Sequence, residues 1–129
     1  MLVLALSLAA CGGEPAPAAG EDEPAGPGDA AAGKEIFNQT LIGTQPGCAT
    51  CHLLEPGVTM VGPSLATIGA DAGSRVSGVS AEDYLKKSIT EPSADVAEGF
   101  SGTLMPAALA DELTGQQIND LIAYMLTLK

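Results

Sequence analysis

Cys48-Ala49-Thr50-Cys51-His52 is the one Cys-x-x-Cys-His in the chain, and the fold turns on how it is read. Two thiols three residues apart can each add across a vinyl group of one haem. The histidine directly after the second thiol is then held beneath the iron as its fifth ligand. The pentapeptide has the form of a c-type haem attachment site, and haem with an axial histidine carries electrons or binds ligands according to what fills its sixth position. Rival uses of the same residues run short of partners. A structural zinc site takes four ligands, whereas the chain holds three cysteines and one histidine, and Cys11 lies far upstream. A thioredoxin-like redox pair wants a strand feeding a helix at its cysteines, yet residues 40–47 carry turn formers and no strand pattern. A plain disulfide between Cys48 and Cys51 is the remaining alternative.

Composition points the same way. The 129 residues suffice for one modest domain, but they include no Trp, two Phe and two Tyr, a thin supply of large core side chains. A haem would provide the missing bulk. Burying roughly 500 Å² of its apolar surface at ~25 cal/mol per Å² is worth on the order of 12 kcal/mol, comparable to a whole domain's net stability of ~5–15 kcal/mol. The polypeptide without haem is therefore expected to be largely unfolded. Net charge is −11; residues 12–31 hold five acids and no base, and residues 32–129 hold eleven acids against five bases. Such a surface repels nucleic acid phosphates. It suits either docking onto a basic partner, screened by salt beyond ~8 Å, or plain solubility.

Residues 1–10 form an apolar run too short to span a bilayer, which takes ~20 residues, and read as the hydrophobic region of a secretory signal. The small residues before Cys11 resemble a bacterial lipobox, in which the cysteine is lipidated and becomes the new N-terminus; an uncleaved anchor or a merely cleaved signal is the alternative. Both place the remainder outside the cytoplasm. Residues 11–31 read as that lipidated cysteine and an acidic Pro/Gly/Ala tether with nothing to bury. Residues 32–129 hold the candidate domain. A short helix suits residues 31–40, with Gly33 and Phe37 four apart on one face. Another begins at Ser80 and stops before Pro92, with Tyr84, Leu85 and Ile89 inside. The clearest helix follows the capping-box-like Thr114-Gly115-Gln116-Gln117, with Ile118, Leu121, Ile122 and Met125 as one apolar stripe. No segment alternates long enough for a strand, so the expected class is all-α.

This order of features resembles the class I cytochrome c family over about residues 31–129. The features are a short first helix with Gly33 and Phe37, the Cys48–His52 site, Gly62-Pro63-Ser64-Leu65, Met105-Pro106, and a terminal helix ending at Leu128. The stretch from Gly99 to Leu128 is similar to cytochrome domains that serve bacterial respiratory oxidases, and to lipoprotein mono-haem subunits of quinol-oxidising complexes. The resemblance implies three to five helices around one covalently attached haem c, with the first and last helices crossing where a glycine permits close approach. It further implies that Cys48 and Cys51 make the thioethers and that His52 is the proximal ligand. Pro63 would lend its carbonyl to the His52 ring N–H, a bond that orients the imidazole; a simple turn proline is the other reading. Met105 would be the distal ligand. Met60, eight residues after His52, is a rival for that place, and Met125 belongs to the apolar stripe of the last helix. Arg75 either meets a haem propionate or is a solvated loop arginine; Tyr84 either meets a propionate or packs in the core.

A filled sixth position implies an electron carrier and leaves no site for peroxidase or gas-binding chemistry. The implied function is one-electron transfer by a lipid-anchored, extracytoplasmic protein between a quinol-oxidising complex and a terminal acceptor, either an oxidase or a photosynthetic reaction centre. A fixed subunit of such an assembly is the alternative, and a haem-based sensor or small peroxidase a more distant one. The implied partners are the membrane and redox proteins, with no nucleic acid.

Overall fold

The computed structural model describes residues 25–129. The expected signal segment 1–10, Cys11, and residues 12–24 of the expected tether lie outside the described residues. Four α-helices are present: α1 (Ala30–Phe37), α2 (Ile68–Arg75), α3 (Ala81–Thr90) and α4 (Gly115–Met125). Two 3-10 segments, Cys48–Thr50 and Ala107–Glu112, and a two-strand ladder of β1 (Leu41–Ile42) with β2 (Gln45–Pro46) complete the described elements. The class is all-α, as expected, with four helices flanking the Cys48–His52 segment.

Local chemistry sets the helix ends. Asp29 accepts from the backbone N–H groups of Ala31 and Ala32 and so starts α1. Ser80 accepts from Asp83 N–H at α3. Thr114 and Gln117 form a reciprocal capping box at α4, satisfying donors that a helix start leaves free. Two expectations need correction. The segment containing Arg75 is helical, because Ile68 and Ala72 bury one side of α2 and Gly69 N–H donates to Leu128 O at 2.8 Å. The expected strandless turn at residues 40–47 is a tight hairpin, with Gly43 at φ 56.

Helices α1 and α4 cross at Gly33. A Cβ built there would lie 1.9 Å from Asp120 O, so only glycine permits this approach. Next to the crossing, Phe37 and Tyr124 meet edge-to-face with ring centroids 5.4 Å apart. Phe37 and Leu121 are the largest fully buried side chains.

Contacts with the helices also involve residues before position 32. Residues 26–29 lie as a strap along α4. Gly26 N–H donates to Gln116 Oε1 at 2.6 Å and its carbonyl accepts from Asn119 Nδ2 at 2.9 Å. Asp29 N–H donates to Asp120 Oδ1 at 2.8 Å. Asp120 is a buried carboxylate with no cation paired to it among the described residues; Gln116 Nε2 supplies its other hydrogen bond at 2.8 Å. At Gly28 a Cβ would stand 2.1 Å from Asn119 O, so the strap lies flush on the helix.

Candidate haem-binding site

The 3-10 turn at Cys48–Thr50 arranges the two thiols. Cys51 N–H donates to Cys48 O at 3.1 Å, and His52 N–H to the same oxygen at 2.9 Å. Side chains at i and i+3 eclipse in a 3-10 helix, and both thiols line one cavity. Gly47 makes room for the turn, since a Cβ there would sit 1.9 Å from Gln39 O. Burial pushes the Cys48 thiol up to about 11, with neighbouring Cys51 adding to the rise. The rise makes the free thiolate scarcer at neutral pH. Among the described residues no group of three or more His, Cys, Asp or Glu side chains is placed to hold a metal ion.

His52 follows on the same cavity wall. Its Nδ1 lies 2.9 Å from Pro63 O. A carbonyl only accepts, so Nδ1 carries the proton and Nε2 keeps its lone pair, the tautomer a metal ligand needs. Pro63 is held in place by a closed loop: Gly62 N–H donates to Cys51 O, and Leu65 N–H to Leu53 O, both at 2.9 Å. Gly62 is a functional residue that the sequence reading quoted in its motif but gave no role. A Cβ there would come within 2.4 Å of His52 Cε1 and 2.7 Å of Nδ1. Glycine before the carbonyl-bearing proline was the available signal.

The cavity draws walls from nearly every element. Phe37, Leu85, Ile89, Leu109, Leu121 and Met125 are its buried lining, and Val61, Val96 and Leu104 its exposed lining. Met105 joins this wall, half-buried, from the loop before Pro106. Met60 is 49% exposed and, unlike Met105, is not among the residues that line the cavity. Met125 is buried on the α4 stripe, as expected, and also borders the cavity. Arg75 and Tyr84 both reach it; Arg75 stands in the last turn of α2, 3.7 Å from Asp71 and well exposed.

This arrangement fits a haem. Two thiols, an imidazole whose second nitrogen has no partner among the described residues, a thioether, and a wall otherwise dominated by apolar side chains are what a covalently attached macrocycle requires. A haem seated there would also supply the bulk that the short list of large core residues lacks.

A family model described as Cytochrome c matches residues 30–129. No curated protein matches the chain.

Proposed function

The chain belongs to the cytochrome c family of electron-transfer haem proteins, and from that premise we propose that it carries single electrons between protein partners while anchored to a membrane through Cys11. Cys48 and Cys51 would hold the haem as thioethers, and His52 Nε2 and Met105 would be the ligands of its iron. Haem c, when bound, supplies an iron that changes by one electron. The chain's own work is to keep that change cheap. Pro63 O fixes the imidazole tautomer and orientation, and Gly62 lets the ring lie flat. Phe37, Leu85, Leu121 and Met125 exclude water. With His52 and Met105 both bound to it, the iron would have no site open for a substrate, so the reading is a carrier and not an enzyme.

The observation that carries this reading is the convergence of Cys48, Cys51 and the Pro63-oriented His52 on one apolar cavity. The extracytoplasmic setting, the lipid on Cys11, and a route from a quinol-oxidising complex to a terminal oxidase or reaction centre extend it from the sequence. Spectra of membrane-fraction protein in both redox states, with the mass of the mature chain, test it. We expect one covalent haem, a weak long-wavelength band from sulfur on ferric iron, and no carbon monoxide binding to the reduced form at neutral pH. A colourless chain refutes the reading, and rapid carbon monoxide binding would move it to the sensor or peroxidase class.

A further inference from the structure

The strap at residues 26–29 lies just before the family match at 30–129. It touches α4 through Gln116, Asn119, Asp120 and Ala123. The cavity takes Leu121 and Met125 from the same helix. At 3.6 residues per turn these two sets point roughly 170° apart. The cavity deepens toward α1 and α4, where Phe37 and Leu121 are each 1% exposed, and opens at Val61, Val96 and Leu104, which are 42–52% exposed. The chain therefore enters the domain directly behind the cavity, with the mouth on the far side.

We propose that the strap fixes this exit point so that the cavity mouth is offered to protein partners standing beside or above the domain, and is kept from anything dissolved in the bilayer. The proposal rests on anchoring at Cys11. Its warrant is a length. A domain of this size has a radius of gyration near 13 Å, hence a half-circumference of about 50 Å. The roughly 15 residues from Cys11 to Gly26 reach at most about 50 Å when drawn out straight. Turning the mouth sideways takes about half that length. Turning it onto the bilayer would take all of it, pulled taut around the domain. The partner is thus a protein that brings an electron up to the level of the domain, and a quinol in the lipid phase is not a direct donor.

The test uses the mature holoprotein from Cys11, coupled at that thiol to a maleimide lipid in phosphatidylcholine vesicles; Cys48 and Cys51 are then already thioethers. Haem reduction by a long-chain quinol in the bilayer is compared with reduction by a water-soluble quinol of the same ring. We expect the bilayer-to-water rate ratio to rise at least tenfold when a twenty-residue Gly/Ser stretch is inserted after Gly20. It should rise several-fold in Gly28→Val, whose side chain cannot fit against Asn119. Ratios equal in the parent and the lengthened chain, whether fast or slow, overturn the proposal. The lengthened chain keeps the strap, so the test stands even if Gly28→Val loosens the fold. Anchoring is judged separately: a natural mature chain lacking lipid mass on Cys11 would defeat that reading alone, because the coupled lipid supplies the same attachment point.

Discussion

At Gly62 one hydrogen in place of a methyl decides where the His52 imidazole can lie. Gly62→Ala should tilt that ring and strain its bond to Pro63 O. The expected result is a shifted midpoint potential and shifted His52 ring-proton resonances in the holoprotein, along with a loss of roughly 1–3 kcal/mol typical of overpacking. An unchanged potential with unchanged His52 resonances would remove Gly62 from any part in orienting the ligand. Met105→Ala should abolish the long-wavelength sulfur band, admit carbon monoxide to the reduced iron, and lower the potential by on the order of 0.1 V, within the ~0.8 V span that axial ligands command. Retention of the band would point to Met125, the other methionine bordering the cavity. At this scale the sequence was most readable where chemistry is local. Cys48, Cys51 and His52 sit side by side in the chain, whereas the seat that Gly62 provides is visible only once the loop has closed.

Helix α1 meets α4 through Gly33, whose absent Cβ would overlap Asp120 O. Gly33→Ala should therefore separate the two helices and cost about 1–3 kcal/mol, read as a lower urea midpoint by haem absorbance; a midpoint equal to the parent's would show that the crossing has slack. The hairpin is tied down by Thr44, which donates to Glu112 Oε1 through its hydroxyl at 2.6 Å and its N–H at 3.2 Å. These bonds, the hydroxyl foremost, hold the Glu112 carboxyl below its usual value. A carboxylate lowered in the folded state adds stability above its unfolded pKa of ~4.3, and that contribution disappears as pH falls through the folded value. Thr44→Val should thus be less stable than the parent at pH 6–7, with the gap narrowing below about pH 4. A gap constant from pH 3 to 7 would contradict this. Elements with their own start signals were legible beforehand: Ser80 for α3, Thr114 and Gln117 for α4. Helix α2 was not, since Gly69 and Gly73 weaken its local preference and its stability comes from burying Ile68 and Ala72 and from the distant Leu128 carbonyl. The hairpin, two residues per strand, is too short to leave a periodic trace. Arg75 was misplaced for the same reason as α2.

For the molecule as a whole, the cavity is the missing half of the core. Replacing both Cys48 and Cys51 by alanine should give a chain without covalent haem and without a cooperative thermal transition by circular dichroism, given the order of 12 kcal/mol that haem burial supplies. A sharp helical melt in that variant would show that α1 and α4 can hold together unaided. The global arrangement was only partly readable in advance, because the side chains that meet at the cavity come from positions 37 to 125 and no single stretch announces their meeting. One further property follows from the loop carrying Pro63. Its two ends are hydrogen-bonded at Cys51–Gly62 and Leu53–Leu65, while its outer turn at Gly57 has open space around it. Doubling such a loop adds only about 0.6 kcal/mol of closure entropy. A foreign peptide spliced in at Gly57 would be displayed beside the redox centre without disturbing it, which makes this turn the natural place to graft a new recognition sequence and wire it to the iron.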